Sequence, residues 1–431
     1  MPFPARRGAV GLLCCVSAAA QAVDYAATTT TSGVKFVARR VRQWEGAAYA
    51  PADAARPYAA PALHCARVAV CTTINAPTDA IKQVANVTGW CVVIVGDRKT
   101  PDADYERLER ALPKTFKYLS YAAQQELPYM LVALTPPNHF SRKNIGFLYA
   151  AHAGAQLIFD FDDDNELLYE GWIPDTLAEA SSSYVFASHD RVRAAPRYAF
   201  VNPYARVFGA PQMWPRGYPL DRINTPTNVP LRSETESVFK HSNVVLGAVQ
   251  TLAQHDPDVD ALYRLGPRSA LPLPFEFDVD TPTLVLDKHV YSPCNAQAMV
   301  YTRSAFFALL LPHTVHGRVS DIWRGYIGQR LFWLAGLRLG FSAPFVTQTR
   351  NAHDFLADYF AERPLYEQAE EFVRVVDGVA DGAPFPSVGA ALHASYIALF
   401  EHGFVEEADV NYARAWLRDL AGVGLEPPRL H

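Results

Sequence analysis

Residues 160–166 read Asp-Phe-Asp-Asp-Asp-Asn-Glu, five carboxylates in seven positions with no base among them, directly after the apolar run Leu157-Ile158-Phe159. Few folds tolerate such a junction. Like charges this close raise one another's pKa, and burial raises it further. The cluster therefore cannot sit in a core without cations; the alternative is a solvated acidic turn, the usual fate of such a charge run. The arrangement expected is a buried strand ending in a polar crevice, balanced by a divalent cation or a nearby Arg or Lys. The chain carries 39 bases against 44 acids, a formal charge of −5, and without these five acids it would hold 39 of each. The excess is thus one local site, and it offers nucleic acid no attraction, since nucleic-acid binders present a basic face. With half of its 431 residues apolar, the chain is not disordered. No run of ~18 apolar residues follows the first 25, which excludes a polytopic membrane protein.

The first 23 residues read as targeting: Arg6 and Arg7, an apolar stretch over 8–20, and Ala20-Gln21-Ala22 as a cleavage site. A signal peptide or short signal anchor is expected, giving entry to the secretory pathway and at most an N-terminal membrane attachment. Residues 24–60, rich in Ala, Thr and Pro, read as a stalk or linker. Cys14 and Cys15 lie in the leader, leaving Cys65, Cys71, Cys91 and Cys294, whose spacings match no zinc pattern. Cys71 and Cys91 fall in apolar runs and are expected as buried thiols. Asn86-Val87-Thr88 is a usable glycosylation sequon.

Short apolar runs at 67–74, 90–95, 129–134 and 156–161 suit parallel strands covered on both faces. Residues 144–152 have helical spacing, closed by Gly154. Alternating strand and helix predicts an open α/β sheet whose ligands bind beyond the carboxyl ends of the strands. Those ends carry Thr72 to Asn75, Asp97 and the acidic run. Residues 171–290 are Pro-rich and aromatic and read as acceptor-side loops; 365–379 and 388–420 read as helices. The organisation expected is a main domain over 61–360 and a small helical addition over 361–431.

Three metal-linked motifs compete for the acidic run. An EF-hand starting at Asp160 would need Gly sixth and Glu twelfth, where Asn165 and Gly171 stand. A DxD-type phosphatase fits Asp160-Phe161-Asp162 but has Asp164 where Thr or Val belongs, and remains a weaker alternative. The third is the DxD of GT-A glycosyltransferases, in which an apolar strand delivers two Asp to Mn2+ or Mg2+. The cation neutralises the charge that develops on a departing nucleoside diphosphate. Arg142-Lys143-Asn144 at a helix start offers cations and free backbone N–H groups to a diphosphate.

Four segments together carry a specific likeness: GWCVVIVGDRKTP at 89–101, NHFSRKNIG at 138–146, DFDDDNEL at 160–167 and VHGRVSDIWRGYIGQRLF at 315–332. In this order they resemble the STELLO-type glycosyltransferase family, from about residue 71 to about 365. The resemblance implies a GT-A-like open twisted sheet with flanking helices and a Golgi lumenal setting. It implies a nucleotide-sugar donor, in particular a UDP-sugar, and a glycan or protein acceptor. On that pattern Thr73, Asn75 and Asp97 line the nucleotide pocket, and Arg142, Lys143 and Asn144 hold the diphosphate and donor sugar. Asp162 and Asp164 take the metal with Asp163 beside them, while Asp160 pairs with a base. Asp321 is the candidate catalytic base, or else a helix N-cap; His316 and His353 are possible further metal ligands. The alternative is a non-catalytic scaffold of the same fold that assists assembly of cell-surface polysaccharide synthases.

Overall fold

A computed structural model describes residues 23–430 except 31–32, 41, 51–56, 176, 178–182, 190–196, 225–228, 236–243, 267–273, 350–353 and 380–383. The expected leader and His353 lie outside the described residues. Among the described residues no helix is long and apolar enough to cross a membrane.

Three of the four apolar runs become parallel strands: β1 (Arg67–Thr72), β2 (Cys91–Val95) and, after β3 (Phe116–Leu119), β4 (Leu157–Phe161). The β2 residues Cys-Val-Val-Ile-Val are all buried, as a strand covered on both faces requires. The run at 129–134 departs from expectation. It forms a one-turn helix, Met130–Leu134, and the third parallel strand is the shorter Phe-Lys-Tyr-Leu of β3. Pro128 and Pro136 bracket the former, and so short an apolar run does not distinguish helix from strand by periodicity.

The sheet continues through β5 (Asn165–Leu167), β6 (Ser183–Ala187), β7 (Leu231–Thr235), β8 (Val245–Gln254), β9 (Thr283–Leu286), β10 (Ala298–Thr302) and β11 (Leu337–Gln348). The Pro-rich stretch thus supplies strands as well as loops. The strand order is β7-β6-β9-β11-β8-β10-β4-β1-β2-β3, with β5 paired to β11 off this path. Strands β1 to β4 are mutually parallel, and β10 joins β4 antiparallel. After β1 the chain moves to β2 and β3 on one side, then crosses to β4 on the other. The crevice between the carboxyl ends of β1 and β4 is therefore the topological switch point, the place where such sheets bind ligands.

Helices α1 (Asp79–Ala85) and α2 (Asp102–Ala111) bring Ile81, Val84 and Tyr105 to one face of the sheet, against Trp90, Phe159 and Phe161. The other face is covered by α3 (Lys143–His152), α4 (Gly317–Leu334), α5 (Phe355–Gly378), α6 (Val388–Glu401) and α7 (Glu407–Gly422). Helix α3 ends as expected, with Gly154 at φ +90°. It lies so close to the sheet that a Cβ on Gly146 would come within 2.6 Å of Val95 Cγ2 and 2.7 Å of Val70 Cγ1.

The C-terminal helices join the parallel half through buried polar contacts. Asp419 accepts from the backbone N–H of Met130 (2.9 Å) and Leu131 (2.8 Å), Asp409 from that of His313 (2.7 Å), and Asn144 donates to Tyr412 Oη (3.2 Å). Within the expected linker, Val23–Thr30 and Gly33–Arg40 pair as an antiparallel hairpin. Further along, the Tyr49 backbone N–H donates to His393 Nδ1 (3.1 Å). Cys65 and Cys91 form a disulfide, so Cys91 is not the free thiol expected, whereas Cys71 and Cys294 are free and buried.

Candidate active site

The acidic run folds as a tight turn. The backbone N–H of Asp162 donates to Asn165 Oδ1 and the N–H of Asn165 to the carbonyl of Asp162, both at 3.1 Å. Asn165 thereby ends the strand and reverses the chain into β5, leaving Asp162, Asp163 and Asp164 half-exposed at the crest. Its Nδ2 is buried without a hydrogen-bond partner.

Asp160 and Asp162 stand two positions apart on one face and share Lys143, but they differ in depth. Asp160 points to the helical face and is fully buried, 2.6 Å from Lys143 Nζ and 2.7 Å from Arg324 Nη1. It is structural, as its pairing with bases requires, and a nucleophile so enclosed cannot reach a phosphate ester. The phosphatase alternative therefore loses its key residue. Asp162 is 27% exposed and accepts from Lys143 Nζ at 2.9 Å. Desolvation pushes its pKa up to about 7; Lys143 opposes that rise, and the neighbouring Asp164 and Asp160 add to it. Asp164 accepts from Gln348 Nε2 (3.1 Å).

The switch point itself is bridged. Thr73 Oγ1, just beyond β1, donates to Asp163 Oδ2 just beyond β4, and Asn75 Nδ2 donates to the same oxygen (2.8 Å). Thr100 Oγ1 donates to the Thr73 carbonyl and accepts from the Asp97 N–H, both at 2.7 Å. Asp97 is buried and accepts from the backbone N–H groups of Arg98 (2.7 Å) and His139 (3.0 Å). Thr73, Asn75, Asp97 and Asp163 thus converge on one crevice.

The basic segment differs from expectation. Arg142 is fully buried, with Nε and Nη2 on Gln124 Oε1 (2.8 and 2.5 Å) and Nη1 on the carbonyls of Thr135 and Pro136 (3.1 and 3.3 Å). Lys143, also fully buried, is held by Asp160, Asp162 and the Ala296 carbonyl (3.0 Å). Asn144 pairs both ways with the Leu311 backbone, each at 2.9 Å. These three residues build the wall of the crevice, and none presents a free cation to a diphosphate. The reason is local: the segment opens a helix laid against the sheet, so its side chains turn inward, Lys143 to Asp160, Arg142 to Gln124 and Asn144 to the Leu311 backbone.

Asp321 is not the N-cap of its helix. The N-cap of α4 is His316, whose Nδ1 accepts from the Arg318 N–H (3.2 Å). Asp321 lies a turn further in, buried, and is gripped by Arg216 through Nη1 (3.0 Å) and Nη2 (2.7 Å). Arg216 grips Asp258 in the same way, through Nε and Nη2 at 3.0 Å. Burial opposes the Arg216 charge, but the two carboxylates outweigh that cost and hold its pKa well above the usual value.

Sequence reasoning missed Arg216, Asp258, Asn295, Gln297 and Gln348. They form a continuous relay: Asn295 Nδ2 donates to Asp258 (2.6 Å) and to Gln297 Oε1 (3.2 Å), and Gln297 Nε2 donates to Gln348 Oε1 (3.0 Å), the residue that holds Asp164. They are single polar residues scattered through strands and loops, and none lay inside a recognisable motif.

The donor set fits a hard divalent cation: Asp162 and Asp164 are half-exposed carboxylates at one strand end, and one of them carries charge that the fold resists. Among the described residues no group of three or more His, Cys, Asp or Glu is arranged as a metal site. A cation would therefore need further oxygen ligands from its substrate or from water.

Comparison with known proteins agrees with the motif reading. Residues 318–431 match the model of the STELLO glycosyltransferases. The chain is 29% identical over 93% of its length to the Arabidopsis thaliana protein named "Probable glycosyltransferase STELLO1", covering 50% of that protein. It is 30% identical over 82% of its length to "Probable glycosyltransferase STELLO2" of the same plant, covering 44%. The chain spans about half the length of the curated relatives it matches. Among solved structures, S. aureus TarS 1–349 in complex with UDP-GlcNAc aligns over 84% of this chain and 90% of that one, at 10% identity and a TM-score of 0.27, too remote to inform fold or site. By the family model over residues 318–431 and by likeness along most of its length, the chain is similar to the STELLO glycosyltransferases.

Proposed function

We propose that the chain is a lumenal, metal-dependent glycosyltransferase that binds a nucleotide-sugar, in particular a UDP-sugar, in the crevice between β1 and β4. The observation that carries this reading is the bridge from Thr73 and Asn75 to Asp163 across the switch point, with Asp162 and Asp164 on either side. Thr73, Asn75 and Asp97 line the nucleotide side. Asp162 and Asp164 would hold Mn2+ or Mg2+, which when bound supplies positive charge for the departing diphosphate. Lys143 and Arg324 hold Asp160 and the turn in place, and the Gln348 relay fixes Asp164. The acceptor is a glycan or a protein.

The test is calorimetry of the purified chain with Mn2+ and the diphosphates of uridine, guanosine and cytidine. We expect metal-dependent binding of a nucleoside diphosphate, lost in Asp162→Asn with Asp164→Asn at an unchanged unfolding midpoint. Absence of binding for all three overturns the reading. One observation favours the scaffold alternative, namely that Arg142 and Lys143 are engaged inside the protein and leave no cationic clamp for diphosphate. Sugar transfer, or donor hydrolysis abolished by the two Asp variants, would exclude it.

A further inference from the structure

We propose that Asn86 is an N-glycosylation site whose oligosaccharide projects from the end of the sheet opposite the donor crevice; this rests on the lumenal part of the reading above. Asn86-Val87-Thr88 has the acceptor pattern. The structure presents it as a modification needs: Asn86 and Thr88 are exposed, while Val87 between them is 4% exposed and anchors the turn in the core. Asn86 ends α1, and Gly89 at φ +81° turns the chain towards β2. The Asn86 Nδ2 donates to the Lys82 carbonyl (3.0 Å), and a glycosylated amide keeps one N–H for that bond.

Position supports the assignment. The connection from α1 to β2 lies at the amino ends of the parallel strands, whereas Thr73, Asp97 and Asp162 lie at the carboxyl ends. The five residues of β2 separate the two, roughly 16 Å at ~3.3 Å per residue. An oligosaccharide on Asn86 leaves the crevice open. The disulfide between Cys65 and Cys91 lies at the same end and is an independent mark of an oxidising lumen, the compartment where such transfer occurs.

The donor class is a lipid-linked diphospho-oligosaccharide. Asn86 Nδ2 forms a bond to the anomeric carbon as the bond from that carbon to the diphosphate oxygen breaks. The amide proton passes to a base of the transferring enzyme, the lipid diphosphate leaves, and nothing is oxidised or reduced.

The experiment expresses the full chain in eukaryotic secretory cells and treats it with peptide-N-glycosidase F. A mobility shift of one glycan is expected, absent in Asn86→Gln and Thr88→Ala and retained in Thr88→Ser. Protease protection of the chain in sealed microsomes reports its compartment separately. A protected chain without glycan on Asn86 overturns the assignment and leaves the lumenal reading standing. An unprotected, unmodified chain overturns both.

Discussion

Asp160 and Asp162 stand two positions apart on one strand end, and replacing each carboxylate by its amide should give opposite results. Asp160 is fully buried between Lys143 (2.6 Å) and Arg324 (2.7 Å). At an effective dielectric near ~20, each contact amounts to about 6 kcal/mol of Coulomb attraction. Desolvation offsets most of it, at several kcal/mol per ion. Asp160→Asn removes the attraction and strands two buried cations, so the expected loss of stability is about 3–5 kcal/mol. Asp162 is partly exposed, and its charge is disfavoured by desolvation and by Asp164 and Asp160. Asp162→Asn should shift stability by less than about 1 kcal/mol. Urea unfolding with and without Mn2+ reads both effects. At a hundredfold excess over its Kd, a bound cation should stabilise the natural chain by about 2.7 kcal/mol, and that gain should vanish in Asp162→Asn. A natural midpoint for Asp160→Asn, or full Mn2+ stabilisation of Asp162→Asn, would refute the division of roles.

Gly146→Ala places a methyl against Val70 and Val95 at 2.6–2.7 Å and should cost about 1–3 kcal/mol in denaturant unfolding. Asp260 is buried and its pKa is pushed up to about 6, chiefly by desolvation. The folded state therefore holds a proton that the unfolded state releases near pH ~4. This group's contribution to stability is present below that point and is lost as pH rises through 6. Urea midpoints from pH 4.5 to 7 should fall less in Asp260→Asn, and equal slopes would count against it. Replacing Cys65 and Cys91 by Ser opens a loop of 26 residues and should cost about 3–4 kcal/mol, read from thermal or urea unfolding with reduced natural protein as control.

Much of the parallel half was legible in the sequence. Its strands are continuous β-rich runs ended by polar residues, and the acidic turn, Thr73, Asn75 and Asp97 fall at those ends as strand direction demands. The failures have physical causes. Met130–Leu134 is apolar but too short to show a period, while Lys117 hides β3. The ten residues of β8 were obscured by the Pro-rich segments on either side. Arg142 and Lys143 looked like surface cations because their partners, Gln124 and Asp160, are 18 and 17 positions away and meet them only across the packed helix. Arg216 and Asp321 are 105 positions apart. Nothing local marks either as half of a pair.

The contact between Asn144 and Tyr412 spans 268 positions, and Asp419 on the same final helix receives the backbone of Met130 and Leu131. Synthesis is vectorial, so the wall of the crevice between β1 and β4 waits for the last residues to be made. Until α7 emerges, Asn144 and the N–H groups of residues 130 and 131 lack these partners, and the helical layer over the sheet stays incomplete. The nascent chain passes through an interval in which its helical layer lacks its last member, when chaperones are most needed. A stop codon before Glu407 would leave the acidic turn, β1 and β4 intact in sequence and still yield no finished crevice.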